Sequence, residues 1–306
     1  MNHPTITVAI CTYNRERYLP GLFRSIQAQT LASNLFEVVL IDNNSPGNTH
    51  TLFQQFVDAN PNLSGRYFLE KNQGLSFARN RAIRESGAEL ITFLDDDAFI
   101  HERYLETLLE GFDKYPDCGA IGGPIHLHYE EVKPLWENKY LNSLLGYFDK
   151  GNAFFYFNKD YPRGSNMAFR TSVFESVGPF NVALGRIGSQ LYGGEEKDLF
   201  NRIYRAKIPV IYLPKALVYH CVPLARTSTQ FIKQQALGTG ISERIRSRSE
   251  GRLSLVFRLV MEGAKWVASI LLWIRFGLTF QFQKGNMLLF FRYWVTRGLV
   301  FKYEGS

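Results

Sequence analysis

The 306-residue chain has little cysteine. Cys11, Cys118 and Cys221 are odd in number, far apart and form no CxxC pair, which argues against a disulfide framework or a sulfur-ligated zinc site. It has no GxxxxGK[ST] segment, hence no P-loop, and no GxGxxG after its first apolar run, which disfavours a dinucleotide site. Repeats and low-complexity tracts are missing. Apolar runs such as Trp266–Ile274 and Met287–Phe291 fall short of the ~18 uninterrupted residues a spanning helix usually needs. The opening residues Met1–Pro4 pass straight into Ile6–Ile10 without the basic-then-apolar layout of a signal peptide, so a cytoplasmic protein is expected.

What is present supports a substantial core: 45% of residues are hydrophobic, enough for one large α/β domain with an appendage, or for two domains. The net charge of +7 is unevenly placed, because from Arg226 onward there are 13 Lys/Arg against 4 Asp/Glu. That quarter is also aromatic. The combination favours anionic lipid or a lipid-linked acceptor over nucleic acid, which is not expected as a partner.

Residues 5–125 alternate short β-rich runs with helical stretches, the pattern of a mostly parallel sheet. Strands are expected at Thr5–Cys11, Phe36–Ile41, Arg66–Glu70, Glu89–Leu94 and Cys118–Gly122, and helices at Arg17–Ala28, Thr49–Asp58, Leu75–Glu85 and Glu102–Tyr115. The aromatic stretch 126–163 is either packing or a wall for a sugar ring. A helix near Glu195–Ala206 and a strand near Val210–Leu213 follow. The tail from about Ser249 reads either as a basic amphipathic helix lying in the headgroup region, or as a helix packed on the domain with Arg and Lys directed outward.

Asp95-Asp96-Asp97 ends the fourth apolar run. Three like charges at a strand end are opposed by repulsion and desolvation, and a hard divalent cation such as Mg2+ or Mn2+ would offset both; a solvated acidic turn is the plainer alternative. In a parallel sheet, ligands sit beyond the carboxyl ends of the strands. There stand Thr12-Tyr13-Asn14-Arg15, Asp42-Asn43-Asn44-Ser45 and Asn72-Gln73-Gly74, the last followed by Arg79 and Asn80 on the next helix. A second acidic cluster, Gly193-Gly194-Glu195-Glu196-Lys197-Asp198, is either a helix cap or a general base beside a cation.

Val8–Arg15, Asp42–Ser45, Asn72–Asn80, Leu94–Asp97 and Gly194–Leu199, in this order, resemble the family 2 glycosyltransferases. The resemblance covers about residues 5–225. It implies a GT-A-type, Rossmann-like α/β fold with a mostly parallel sheet, and inverting transfer of a sugar from a nucleotide-diphosphate donor, assisted by Mn2+ or Mg2+. By this likeness Thr12, Tyr13, Asn14, Arg15, Asp42, Asn72, Arg79, Asp95 and Asp96 belong to the nucleotide-sugar site. Asp97 and Asp95, with His220 as a further ligand or a structural histidine, belong to the metal. Glu196 is the base, one methylene longer than the family's usual Asp, with Glu195 as the alternative. Gly164, Ser165, Asn166 and Asp198 belong to the acceptor side.

The domains expected are 1–225, split into a nucleotide-sugar half (1–125) and an acceptor half (126–225), and a helical extension at 226–306. The expected partners are a nucleotide sugar, a glycan or lipid-linked acceptor, and peripherally the anionic inner face of the cytoplasmic membrane. Two other readings use the same fold. A sugar nucleotidyltransferase would want glycines in the Thr12–Arg15 loop, and a non-catalytic carbohydrate- or membrane-binding module would have no need of both acidic clusters.

Overall fold

A computed structural model describes residues 4–185, 194–249 and 251–301. Its elements in chain order are β1 (Ile6–Thr12), α1 (Leu19–Gln27), β2 (Phe36–Asp42), α2 (Thr49–Asp58), β3 (Ser64–Leu69), α3 (Leu75–Glu85), β4 (Leu90–Asp95), β5 (Ala98–Ile100), α4 (Tyr104–Lys114), β6 (Ala120–Gly122) and β7 (Ile125–Tyr129). There follow β8 (Phe155–Tyr156), β9 (Met167–Arg170), α5 (Ser172–Val177), α6 (Glu195–Arg205), β10 (Val210–Tyr212), β11 (Val218–Val222), α7 (Leu224–Thr227), α8 (Thr229–Ser249), α9 (Arg252–Leu278) and α10 (Phe282–Val300). The chain divides into two compact units, Met1–His126 with Phe148–Cys221, and Leu127–Tyr147 with Val222–Ser306. Residues 127–147, grouped with the acceptor half on sequence, thus cluster with the C-terminal helices.

The first unit is built on an eight-stranded sheet in the order β3-β2-β1-β4-β9-β6-β10-β8. β3, β2, β1 and β4 run parallel, β9 runs against both β4 and β6, and β8 runs against β10. The expected mostly parallel α/β sheet is therefore present. β1 and β2 are apolar without alternation because helices cover both faces of such a sheet, and every residue of β2 is buried. From α1, Leu19, Leu22, Phe23 and Ile26 enter the core at helical spacing, and Phe23 stacks on Phe56 of α2 with ring centroids 4.4 Å apart.

α2 and α3 have the bounds read from sequence, while the other helix and strand ends named there move by up to a few residues, as frayed ends do. The antiparallel β9 has only four residues and no alternating pattern, so periodicity does not reveal it. The aromatic stretch serves mainly packing in its own units: Phe148 and Phe157 join the first core, Tyr161 stacks on Phe200 at 5.4 Å, and Trp136 is buried in the second unit's cluster. Tyr140 and Tyr156 remain exposed.

Strand order fixes where a ligand can enter. The chain steps outward from β1 to β2 to β3, then returns to place β4 on the other side of β1, so the order reverses between β1 and β4. At such a switch point the two following loops diverge and leave a crevice. The register brings Cys11 opposite Asp95 and Thr12 opposite Asp42, which sets all the polar loops at one edge.

In the second unit, α8, α9 and α10 pack together. Among the described residues no helix is long and apolar enough to cross a membrane. The inward face of α9 carries charge: Glu262 and Ser269 are its buried residues among the described ones, Arg258 pairs with Glu243 of α8, and Leu272 packs on the unit's apolar cluster. Both sequence readings of the tail have the polar side of this helix facing water. The structure turns much of it inward.

Candidate active site at the strand ends

Asp95, Asp96 and Asp97 leave β4 and turn into β5. β5 pairs antiparallel with β11, setting His220 opposite Ala98, and the Cys221 amide donates to the Asp97 carbonyl at 2.8 Å. This pairing brings His220 Nε2 to 3.4 Å from Asp97 Oδ2 across more than a hundred residues of sequence.

The β1 loop meets the same triplet. Thr12 donates its hydroxyl to Asp96 Oδ2 at 2.8 Å, Arg15 Nε lies 3.3 Å from Asp96 Oδ1, and an Arg15 terminal nitrogen donates to Asp97 Oδ2. Burial pushes the Asp96 carboxyl up to about 7; Arg15 pulls it back, and Asp97 and Asp95 add like charge. Burial would lower the pKa of Arg15, but Asp96 and Asp97 outweigh it and hold the guanidinium charged. Burial also raises the Cys11 thiol to about 12, leaving it inert beside the acidic turn.

On the other side of β1, Asp42 is buried and accepts from the Ser45 amide and the Tyr67 hydroxyl, each at 2.8 Å. A carboxylate has about four lone-pair sites, so two stay available. Asn43 ties the loops together: its amide nitrogen donates to the Glu70 and Asn72 carbonyls, and its oxygen accepts from the Gly74 amide. Gly74 has φ 142°, a conformation that favours glycine and lets the chain turn from β3 into α3. Asn72 itself is held by Glu70 through both its backbone and side-chain nitrogens. Tyr13 and Asn14 are exposed at the rim, and the Asn14 amide bonds Ser45 Oγ at 3.0 Å.

The second acidic cluster joins the first through Arg79. This buried guanidinium lies 3.1 Å from Glu195 Oε1, 3.3 Å from Glu196 Oε1 and 3.9 Å from Asp95 Oδ1. Burial alone would lower its pKa, but Glu196, Asp95 and Glu195 outweigh that and raise it. The two glutamates differ: the Glu195 side chain is 5% exposed and the Glu196 side chain 22%. Glu195 Oε2 is buried without a hydrogen-bond partner among the described residues. The Glu196 carboxyl is raised by burial, and by the like charges of Glu195 and Asp95, against the pull of Arg79. Gly164 lies against this group, where a Cβ would stand 2.1 Å from Glu196 Oε1 and 2.5 Å from Arg79 Nη2.

Three of the residues read as acceptor-side are engaged in other ways. Asn166 is fully buried, donating to the Pro124 and Ala216 carbonyls and accepting from the Tyr104 hydroxyl. Ser165 is buried beside it. Asp198 pairs with Arg202 one turn along α6, at 3.0 Å. Asn43 stands in the strand-end loop read from sequence, whereas Tyr67 and Glu70, which also hold the loops, are not marked there; the signal for Tyr67 is its place in β3 opposite Leu40, two residues before Asp42 on the neighbouring strand.

The donor set suits a hard divalent cation in kind, with carboxylates from Asp95 and Asp97 and an imidazole nitrogen from His220. Arg15 shares Asp96 and Asp97 with that position, and among the described residues no group of three or more His, Cys, Asp and Glu side chains is already gathered round one point.

The family described as Glycosyl transferase family 2 matches residues 7–178. A glucosyl-dolichyl phosphate glucuronosyltransferase of Haloferax volcanii is 26% identical over 243 residues, covering 78% of this chain and 76% of the relative. The succinoglycan biosynthesis protein ExoM of Rhizobium meliloti is 25% identical over 264 residues, covering 85% and 81%. Among solved structures, the mannosyltransferase PcManGT of Pyrobaculum calidifontis, in complex with GDP-Man and Mn2+, superimposes with a TM-score of 0.61 at 17% identity, covering 98% of this chain and 88% of that one.

Proposed function

This chain belongs to glycosyl transferase family 2 and is a glycosyltransferase, and on that premise we propose that it moves a sugar from a nucleoside diphosphate donor to an acceptor hydroxyl in one inverting displacement. The observation that carries this reading is the Arg79 guanidinium shared by Asp95 at the strand end and Glu195–Glu196 at the start of α6. It sets a candidate base across from the carboxylates of the donor crevice.

Glu196 is the general base. It is the more open of the pair, and its raised pKa brings it nearer neutral pH, where a base both stays ionised and takes a proton readily. Glu195 and Arg79 position it. The free lone pairs of Asp42 take the ribose or base edge, Thr12, Tyr13, Asn14 and Asn72 line the nucleotide, and Arg15 offers its charge to the diphosphate. A Mn2+ or Mg2+ ion held by Asp97, with Asp95 and His220, would offset the charge that develops on the leaving nucleoside diphosphate. Gly164 leaves room for the Glu196 carboxylate beside the acceptor. The acceptor is a glycan or lipid-linked glycan, which relatives named for a glucosyl-dolichyl phosphate and for succinoglycan support. It is met at the cytoplasmic face of a membrane, with peripheral contact to its anionic surface, a reading that rests on the basic, aromatic C-terminal quarter.

The test is a panel of nucleotide sugars with Mn2+ and lipid-linked or free glycan acceptors. Acceptor-dependent release of nucleoside diphosphate, with inverted anomeric configuration of the product by NMR, is expected. Pyrophosphate release, or retained configuration, contradicts it.

A further inference from the structure

α9 is built inside out for a helix in water. Its inward side carries Arg258, Glu262 and Ser269, with Leu272 packed on the apolar cluster further along; Arg258 pairs with Glu243 of α8, Lys265 pairs with Glu262 along the helix, and Ser269 donates to the Lys265 carbonyl of its own helix. Glu262 is 4% exposed and pairs with Arg292 of α10 at 2.8 Å, and Trp266 and Trp273 donate their indole N–H to Thr296 and Asn286 of α10 at 2.8 and 2.9 Å. The opposite stripe carries Phe257, Val260, Val267, Leu271, Ile274 and Leu278, each between 46% and 78% exposed. Their spacing of 3, 7, 4, 3 and 4 residues keeps them on one face of a helix roughly 40 Å long at about 1.5 Å per residue. Water selects the reverse arrangement, and an exposed apolar strip of this length marks an interaction surface.

We propose that this face of α9 is a membrane-docking surface, lying in the boundary between headgroups and acyl chains of an anionic bilayer. Two observations choose lipid over another occupant. The region from Arg226 carries 13 Lys/Arg against 4 Asp/Glu, a surplus that persists once Arg258, Lys265 and Arg292 are set against their partners Glu243 and Glu262 and that complements an anionic surface, and Arg275 is exposed near the end of the strip, where it can reach headgroups. Glu262, Lys265 and Arg275 interrupt the helix, and no described helix qualifies as a span, so α9 lies along the surface rather than across it. The inference deepens the membrane contact of the proposed function, and its test needs no turnover, so either can fail alone.

The full chain is floated with vesicles of phosphatidylcholine alone and of phosphatidylcholine with phosphatidylglycerol. Flotation with the anionic vesicles, weakened by salt, is expected, and bromine-labelled acyl chains should quench tryptophan fluorescence. A Val267→Asp/Leu271→Glu variant should lose partitioning by roughly tenfold or more, with helix content and melting temperature retained because both side chains are exposed. Arg275→Glu should reduce only the preference for anionic lipid. No flotation and no quenching with the unaltered chain overturns the proposal, as does unchanged partitioning of the double variant. A dimer in solution that Leu271→Glu splits, without vesicle binding, would assign the face to a second copy and overturn it as well.

Discussion

Arg79 in the first unit and Glu262 in the second are both buried charges held by partners of opposite sign, yet their surroundings differ. Around Arg79 the partners are three carboxylates at the open ends of β4 and α6, so negative charge is crowded where a substrate can arrive. Around Glu262 the partners are Arg292 and Lys265 along a seam between helices, and the outer side of the seam is apolar. A buried charge becomes reactive when desolvation is joined by like charges competing for one counter-charge: burial, then Glu195 and Asp95, raise Glu196 against the pull of Arg79. It stays structural when cations outnumber the acid, as they do at Glu262.

Breaking the first region should affect rate before stability. In Gly164→Ala the new methyl would meet both Glu196 Oε1 and the buried Arg79 Nη2, side-chain ends that must shift while the backbone does not. Displacement of the proposed base costs on the order of 10²-fold in kcat, with a smaller loss in melting temperature from the shifted Arg79; steady-state kinetics beside calorimetry would show both. Breaking the second region should do the opposite. Glu262→Leu leaves Arg292 buried without its carboxylate, and loss of one partner from such a pair costs about 3–5 kcal/mol of stability. Denaturant unfolding should register that loss, while kcat of the molecules still folded is unchanged.

The smallest effect is in pH. As the proposed base, Glu196 must be ionised to act, and its pKa is raised above the ordinary 4.5, so kcat/KM should fall as pH drops through that raised value, with the acid limb above 4.5. Stability runs the other way. A carboxyl with a raised folded-state pKa contributes stability that is fully present below its unfolded value and is lost as pH rises through the folded one. For Asp96 that window runs from 3.8 to about 7, so Asp96→Asn should melt slightly higher than the unaltered chain at alkaline pH, without added cation, and show no gain in acid.

Much of the first region was legible because its signals are local. β1 and β2 are continuous apolar runs, α2 and α3 repeat at helical spacing, and each polar loop follows its strand in sequence. What joins the loops was not legible. Arg79 is one basic residue on a helix until α6 folds against it, and His220 is a lone histidine until β5 pairs with β11. Asn166 shows the reverse: its neighbours suggest a site, while its amide is consumed by Pro124, Ala216 and Tyr104. In the second region the periodicity of α9 was visible, but which face turns inward depends on α8 and α10, and composition alone assigns the polar side to water.

The account rests on Glu196 as the group that takes the acceptor proton, with Glu195 holding Arg79. The most direct measurement is single-turnover transfer by Glu196→Gln beside Glu195→Gln, with donor affinity followed by calorimetry. Glu196→Gln should bind donor normally and lose roughly 10²–10⁴-fold in rate, the usual worth of general-base catalysis, and Glu195→Gln should lose less. Unaltered transfer by Glu196→Gln would contradict the account.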